Sequence, residues 1–386
     1  MKLAFLSDAV YPFHHGGKET LHYERSVRLA SRGHAVRILT MHWWPERGGS
    51  IVRDGIVFQA VAPRTAMYTA KGRRAIWESV LFGLGSLRLL WSRPFDVLDV
   101  DQFPFTPFFA AWLVCRIRRR PMTATWHEVW DRDYWRDYMG WLGPVGFWMQ
   151  SFAARSADLV FANSVVTAHR LTHWLGVDAS RVIVLSPGTT VAKSGESPRK
   201  MIDCIFVGRL LPHKHVDVML RALALTPNAT GLIIGNGPER DRLVALADEL
   251  GIDDRVRFES PGSHEAVLDR LRASKLLVLP STREGFGVAV LEANGCGVPA
   301  LVVQHPDNAA IELVRDGVTG FICDLAADRM AAQIRAYLED PLLQSRMREA
   351  ALTTAATYTW DAHVNKMEAA LNALVGEISN PLAKPA

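Results

Sequence analysis

Apolar and polar residues follow two rhythms that alternate along this chain. Residues 2–7, KLAFLS, make a short apolar run with strand character. A glycine-bearing loop, 14–18, follows, and then a helix-period stretch over 19–32 that stops at Gly33. The apolar run 35–41 reads as a second strand. Strand, loop, helix, strand is a βαβ unit, and such units build parallel sheets. The alternation predicts further strands at 96–100, 122–126, 159–162 and 181–185. It predicts helices at 73–91, 105–118 and 164–175, with an irregular apolar region near 141–154.

Residues 186–200, SPGTTVAKSGESPRK, break the pattern with Ser, Gly, Pro and charge, which is a linker composition. A second alternating series follows. Its strands are expected at 202–207, 230–234, 256–259, 275–279 and 300–303, and its helices at 216–225, 239–250, 265–273 and 288–295. Helical patterns at 326–338, 341–354 and 360–375 close the chain before a frayed tail, 380–386. The expected class is α/β: two Rossmann-like parallel-sheet lobes facing a cleft, with ligands at the carboxyl ends of the strands. The expected division is a first lobe over 1–185, the linker over 186–200, a second lobe over 201–358, and a last helix over 359–386 packing back on the first lobe.

Composition narrows the class. Of 386 residues, 49% are hydrophobic and 22% charged, which excludes a disordered chain. The cysteines, at 115, 204, 296 and 323, form no C-x-x-C pair, so a disulfide framework and a structural zinc site are not expected. The first apolar run is too short for a signal peptide, and the longest uncharged stretch, 138–154, is broken by glycine and proline. The expected location is the cytoplasm, at the inner face of the membrane if the first lobe touches lipid.

Charge and tryptophan are both lopsided. Residues 1–185 hold 23 Lys+Arg against 15 Asp+Glu, while 186–386 hold 21 against 25. Eleven of the 12 tryptophans precede residue 186. No helix-turn-helix, finger or RNP-like signature supports nucleic acid. An anionic membrane surface suits Trp and Arg better. The segment 71–93, with basic ends and an apolar middle, is the expected contact; a core-packing helix, or tryptophans lining a soluble acceptor's pocket, are the other readings.

Four segments carry candidate chemistry. In 280–299, PSTREGFGVAVLEANGCGVP, Glu284 sits in a loop after a strand, and Gly285 and Gly287 precede a helix that holds Glu292. A helix N-terminus favours phosphate, and a carboxylate beside it favours hydroxyls, so the pair suggests a polyhydroxylated phosphate ligand. In 207–214, VGRLLPHK, Arg209 and Lys214 leave a strand end on one loop, suited to a diphosphate. Gly16 and Gly17 open a helix in the first βα turn, where the backbone can approach a ligand. This is not G-x-G-x-x-G, so NAD is not indicated. His127 and Glu128 follow an apolar strand at its carboxyl end. The remaining histidines, His15 among them, lack metal-ligand spacing, and hydrolase and P-loop motifs are missing from the sequence.

Together these residues resemble glycosyltransferase family 4, the retaining enzymes of GT-B fold. EGFGVAVLE, 284–292, resembles the family's E-x7-E signature in its P-S-x-x-E-G-F-G frame. GRLLPHK resembles G-R-L-x-x-x-K; GNGP, 235–238, and DGVTGF, 316–321, resemble its later turns; RGHAV, 32–36, and GGKE, 16–19, match its opening. Two departures stand out: the family often has glycine where His215 follows the lysine, and an N-G-[VI]-[DE] turn where this chain has SPGTT, 186–190.

The resemblance implies a nucleotide-sugar site mostly in the second lobe, 201–358, and acceptor binding by the first, 1–185. Glu292 would take the ribose hydroxyls, and Glu284 the sugar near its reacting carbon. Arg209 and Lys214 would neutralise the leaving diphosphate, and Gly285, Phe286, Gly287 and Val288 would line the donor. Gly16 and Gly17 would cover the phosphates, and His127 would lie near the sugar. No metal and no cofactor are implied, since the Arg/Lys pair replaces a divalent cation. The partners would be a nucleotide sugar, UDP-linked before GDP-mannose, and a glycan, lipid-linked or small-molecule acceptor. A sugar-nucleotide epimerase and a non-catalytic sensor are the competing readings.

Overall fold

The computed structural model describes residues 1–14, 16–66, 75–191 and 201–379. His15, the basic start of the 71–93 segment (71–74), the linker's 192–200 and the tail 380–386 lie outside these. The chain forms two compact units, residues 1–187 with the stretch from Trp360 onward, and residues 188–359.

The first unit carries strands β1 (Lys2–Leu6), β2 (Ala35–Met41), β3 (Ser50–Arg53), β4 (Ile56–Ala62), β5 (Val97–Asp101), β6 (Met122–Trp126), β7 (Leu159–Ala162) and β8 (Val182–Val184). They form one sheet in the order β3-β4-β2-β1-β5-β6-β7-β8. Every pairing is parallel except β3 with β4. That hairpin was not expected from the alternation. Its cue is Asp54-Gly55, which turns with φ of 51° and 76°, a conformation that Asp and Gly tolerate.

The helices of this unit are α1 (Gly17–Ser31), α2 (Ile76–Ser86), α3 (Thr106–Arg118), α4 (Arg132–Met139), α5 (Gly143–Ser156) and α6 (Val165–His173). Strand residues alternate faces. Ala4, Leu6, Leu98 and Val100 pack under α2, α3, α5 and α6 through Phe82, Phe108, Val114, Ala154 and Leu171. Leu3, Phe5, Val36 and Ile38 pack on the other face. The region expected to be irregular is the regular helix α5. Pro144 starts it, and Gly146 lets it close on Trp135, whose ring a Cβ would meet at 2.2 Å. The 71–93 segment proves mixed in character. Phe82 and Leu89 are buried, while Trp77, Leu84 and Trp91 face outward.

The second unit holds β9 (Ile202–Val207), β10 (Gly231–Ile234), β11 (Val256–Glu259), β12 (Ser274–Leu279), β13 (Ala300–Val303) and β14 (Gly320–Cys323). They form a parallel sheet in the order β11-β10-β9-β12-β13-β14. Its helices are α7 (Val216–Ala224), α8 (Arg240–Glu249), α9 (His264–Arg272), α10 (Val288–Gly295), α11 (Ala327–Leu338) and α12 (Pro341–Ala355). The four-residue β14 was missed because a lone GFIC stretch has no period to read. It pairs with β13 along Ala300–Val303.

The last helix, α13 (Trp360–Ser379), belongs to the first unit. Val364, Met367 and Leu371 are buried with Leu29 and Phe5. Arg32 adds ion pairs to Asp361 and Glu368, at 3.2 and 3.0 Å. All four cysteines are free and buried. Among the described residues no helix is long and apolar enough to cross a membrane.

Candidate functional site

The candidate residues fall into two clusters, one in each unit. In the second unit the strand ends and their loops are laced together. Leu210 N donates to Asn236 O at 2.9 Å, and Gly208 N donates to Ile234 O at 3.0 Å. A Cβ on Gly235 would lie 2.0 Å from Gly208 O, and one on Gly237 would lie 2.2 Å from Leu210 O. The GRLLPHK and GNGP segments therefore form one packed surface, with Arg209 exposed on it. Lys214 leaves this surface, and its Nζ lies 2.6 Å from Glu284 Oε1, with both side chains only 14% exposed. This salt bridge joins two residues 70 positions apart.

The backbone holds Glu284 independently of its side chain. Its N donates to Asp307 O at 3.0 Å, and its O accepts from Ala309 N at 2.9 Å. Gly285 follows half-buried, and Phe286 is buried against Tyr358. Gly287 takes φ 91°, and a Cβ there would meet Ala310 Cβ at 2.5 Å, so a side chain would be excluded twice over. Val288 then begins α10. Glu292 stands one turn further on, 3.7 Å from His264 Nδ1. Burial pushes its carboxyl up to about 7.

His215, where family members often have glycine, adopts φ 46° and ψ 41°. The position needs the left-handed conformation, which explains the glycine preference. Here His215 Nε2 pairs with Thr282 Oγ1 at 3.2 Å, tying the lysine loop to the Glu284 loop. Thr282 N also donates to His213 O at 3.0 Å. Burial first, and then Lys214, Arg283 and other cations, bring His213 down to about 3, so it is neutral at pH 7.

In the first unit, Asp101 ends β5 and is buried. Its Oδ1 accepts from His127 Nε2 at 2.7 Å and faces His22 Nε2 at 3.2 Å. Its Oδ2 accepts from Lys18 Nζ at 2.7 Å and Ser7 Oγ at 2.9 Å. Burial alone would raise this carboxyl, but Lys18, His22 and His127 hold it well below the usual range. His22 Nδ1 faces Arg25 at 2.6 Å, so it accepts there and keeps its proton on Nε2, toward Asp101. Burial and Arg25 lower His22 to about 4. Arg25 continues the chain to Asp99 at 2.7 Å and to Thr125 at 2.8 Å. Gln102 Oε1 accepts from His127 N at 2.7 Å, fixing the backbone that carries the imidazole.

Gly17 opens α1, with Gly16 extended before it. A Cβ on Gly16 would lie 2.3 Å from Glu19 Oε2, so the glycine lets that carboxylate fold back over the helix start. Sequence reasoning missed Lys18, His22 and Asp101. The available signal was the carboxyl-end position of Asp101, the same one that selected His127. His22, Asp101 and His127 each offer one ligand atom, all within 4.8 Å of one another. The Lys18 ammonium on Asp101 already supplies positive charge there.

Two family models match successive parts of the chain: Glycosyltransferase Family 4 over residues 15–193, and Glycosyl transferases group 1 over 189–354. A D-inositol 3-phosphate glycosyltransferase 1 of Catenulispora acidiphila is 30% identical over 91% of this chain and 89% of its own. The chain belongs to glycosyltransferase family 4. Other curated relatives that share the name D-inositol 3-phosphate glycosyltransferase reach 37% identity, over 53% of this chain and 49% of their own. The chain thus spans about half the length of those family 4 relatives.

The fold is GT-B. Sucrose-phosphate synthase from Thermosynechococcus elongatus superposes with a TM-score of 0.84 at 18% identity, covering 97% of this chain and 99% of that one. HepE of Anabaena, solved in complex with UDP-glucose, gives 0.73 at 19% identity, covering 97% and 100%. Within this family 4 chain, both E-x7-E carboxylates and the lysine of the G-R-L-x-x-x-K segment lie in one unit, where Lys214 and Glu284 are in direct contact.

Proposed function

We propose that this chain is a retaining glycosyltransferase that moves a sugar from a nucleoside diphosphate sugar to a hydroxyl acceptor. The observation that carries the reading is the Lys214–Glu284 pair at the head of α10, with Glu292 further along the same helix. The pair sets an ammonium for the leaving diphosphate beside a carboxylate for the sugar hydroxyls. Arg209 and Lys214 supply the charge that a divalent metal would otherwise provide, and chelators are expected to leave turnover intact. The donor is assigned as a UDP-sugar before GDP-mannose, a choice favoured by HepE's complex with UDP-glucose. An epimerase would not need the E-x7-E frame, and a sensor would not need it intact.

In the retaining reaction the acceptor hydroxyl approaches the anomeric carbon on the face from which the diphosphate departs. The bond from that carbon to the phosphate oxygen breaks as the new glycosidic bond forms. The acceptor proton passes to the departing phosphate oxygen. His127, held by Asp101, lies near the sugar in this reading. The acceptor is a glycan, a lipid-linked glycan or a small molecule, and an inositol phosphate is included on the strength of the relatives' names.

Thermal shifts against UDP, GDP and their sugars test the reading. A ligand at a hundred times its Kd adds about 2.7 kcal/mol, readily seen as a raised melting temperature. A panel in which no nucleotide raises it sinks the proposal.

Glu292 makes the binding pH-dependent. Ribose hydroxyls donate to its ionised form, so binding should release a proton. With a folded value of about 7, uridine affinity should rise about tenfold from pH 6 to pH 8. Uridine avoids the titration of the diphosphate itself. Stability runs the other way. A raised carboxyl stabilises below its unfolded value, and that stability is lost as pH rises through about 7. Calorimetry on Glu292→Gln should show a flat uridine profile; a slope equal to that of the unaltered protein would refute the assignment.

A further inference from the structure

The outward side of one helical layer in the first unit is built from aromatic residues and arginine, with acidic residues excluded from its central helices. Helices α2, α3, α5 and α6 cover the same sheet face. Six tryptophans stand outward on or beside them: Trp77, Trp91, Trp112, Trp141, Trp148 and Trp174. Trp141 is 87% exposed, Trp91 81%, Trp77 67% and Trp148 57%. These are large values for the most costly apolar side chain to leave in water. Leu84, Leu113, Ile117 and Val145 are exposed on the same layer.

The middle of the layer is organised. Phe109 of α3 stacks on Phe152 of α5 at 4.6 Å and 6° between planes, with Trp148 and Trp112 against them at 6.0 and 5.9 Å. Trp112, Trp148 and Phe152, together with Arg116 and Arg155, border an open pocket of about 290 Å³. Position i+4 places Arg116 beneath Trp112 on the outer stripe of α3. Arg119 and Arg120 follow, both exposed. No Asp or Glu occurs from residue 102 to 127, or from 138 to 157. A solvated helix surface mixes both signs; α3 and α5 carry arginine without acid beside tryptophan, and the neighbouring acids are Asp96, 3.7 Å from Arg120, and Asp131, Asp133 and Asp137 at α4. That composition matches an anionic bilayer surface, where indole rings sit at the headgroup level and arginine pairs with phosphate.

We propose that this layer, centred on α3 and α5, is a docking surface for an anionic phospholipid membrane. The occupant is chosen by charge complementarity. A second copy of this chain would set arginine against arginine, whereas anionic lipid neutralises it. Among the described residues of the segment 71–93, Ile76, Trp77, Leu84 and Trp91 are the large apolar side chains that face outward. The surface is independent of the donor cluster, so nucleotide binding and membrane binding can fail separately.

The test is flotation of the full chain on vesicles of phosphatidylcholine alone, and of equal parts phosphatidylcholine and phosphatidylglycerol. The protein should float with the anionic vesicles and stay behind with the neutral ones. Arg116→Glu/Arg119→Glu/Arg120→Glu should lower the partition coefficient by about a hundredfold or more, from roughly a fivefold contribution per arginine. Trp112→Ser/Trp148→Ser should weaken binding about tenfold or more while the UDP thermal shift stays unchanged. No flotation on anionic vesicles at low salt overturns the proposal, as does flotation unaffected by the arginine changes. A dimer by light scattering that the tryptophan changes dissolve, without flotation, overturns it in favour of self-association.

Discussion

Glu284→Gln should lower turnover about a hundredfold or more while the fold survives. Groups that stabilise developing charge in a closed site contribute about 10²–10³ each. Glu284 is placed for that role by its loop, and Lys214 lies 2.6 Å from it. Glutamine keeps the shape and one oxygen but removes the charge that aligns the lysine. The backbone bonds to Asp307 and Ala309 do not involve the side chain, so the loop should hold. The lysine then meets a neutral partner in a mostly buried setting, a loss of about 1–3 kcal/mol in stability. Initial rates with saturating donor, beside a circular dichroism melt, check the result. A folded variant with near-normal turnover would remove Glu284 from the site.

Asp101→Asn should produce the largest loss of stability. Its two carboxyl oxygens are buried and face His22 and Ser7, also buried, and Lys18 and His127, each 20% exposed. Removing one partner from a buried ionic cluster costs about 3–5 kcal/mol, since the charges left behind are uncompensated. For a unit of about 200 residues that lowers the melting temperature by roughly 6–20 °C. The pH dependence has a definite sign. The folded carboxyl lies well below its ordinary value, so its stabilisation is fully present above that value. It is lost as pH falls from about 3.8 toward the folded value. The gap between the variant and the unaltered protein should therefore persist from pH 8 to about pH 4 and close below it. Turnover should also fall by about tenfold or more, because an amide no longer holds the His127 imidazole in one tautomer. Equal melting temperatures at pH 7 would show that Asp101 does not anchor the cluster.

The local alternation of strand and helix was legible in the sequence because the apolar face of each element repeats at its own period. Ala35–Met41, Met122–Trp126, Ile202–Val207 and Val288–Gly295 appear where the pattern places them. The E-x7-E and G-R-L segments were legible too, since a loop followed by a helix start imposes glycine and charge at short, fixed spacings. What the sequence left open depends on distance. The β3–β4 hairpin joins an otherwise parallel sheet because a short Asp-Gly turn returns the chain at once. Periodicity cannot report which strand lies beside it. Helix α5 hid its regularity behind Gly143 and Gly146, whose role is contact with Trp135 and its neighbours rather than a break. The Lys214–Glu284 pair spans 70 residues, and Lys18 reaches Asp101 across 83. His22 and Asp101 carry no motif spacing, and Lys18 stands in the GGKE segment without its partner being legible there, since the meeting depends on a strand order that brings β1, β5 and β6 side by side. The sequence by itself determined which elements form and which residue types sit at their ends. The tertiary structure alone decided which of those ends meet, because a carboxylate's partner is set by packing across the sheet and not by its neighbours along the chain.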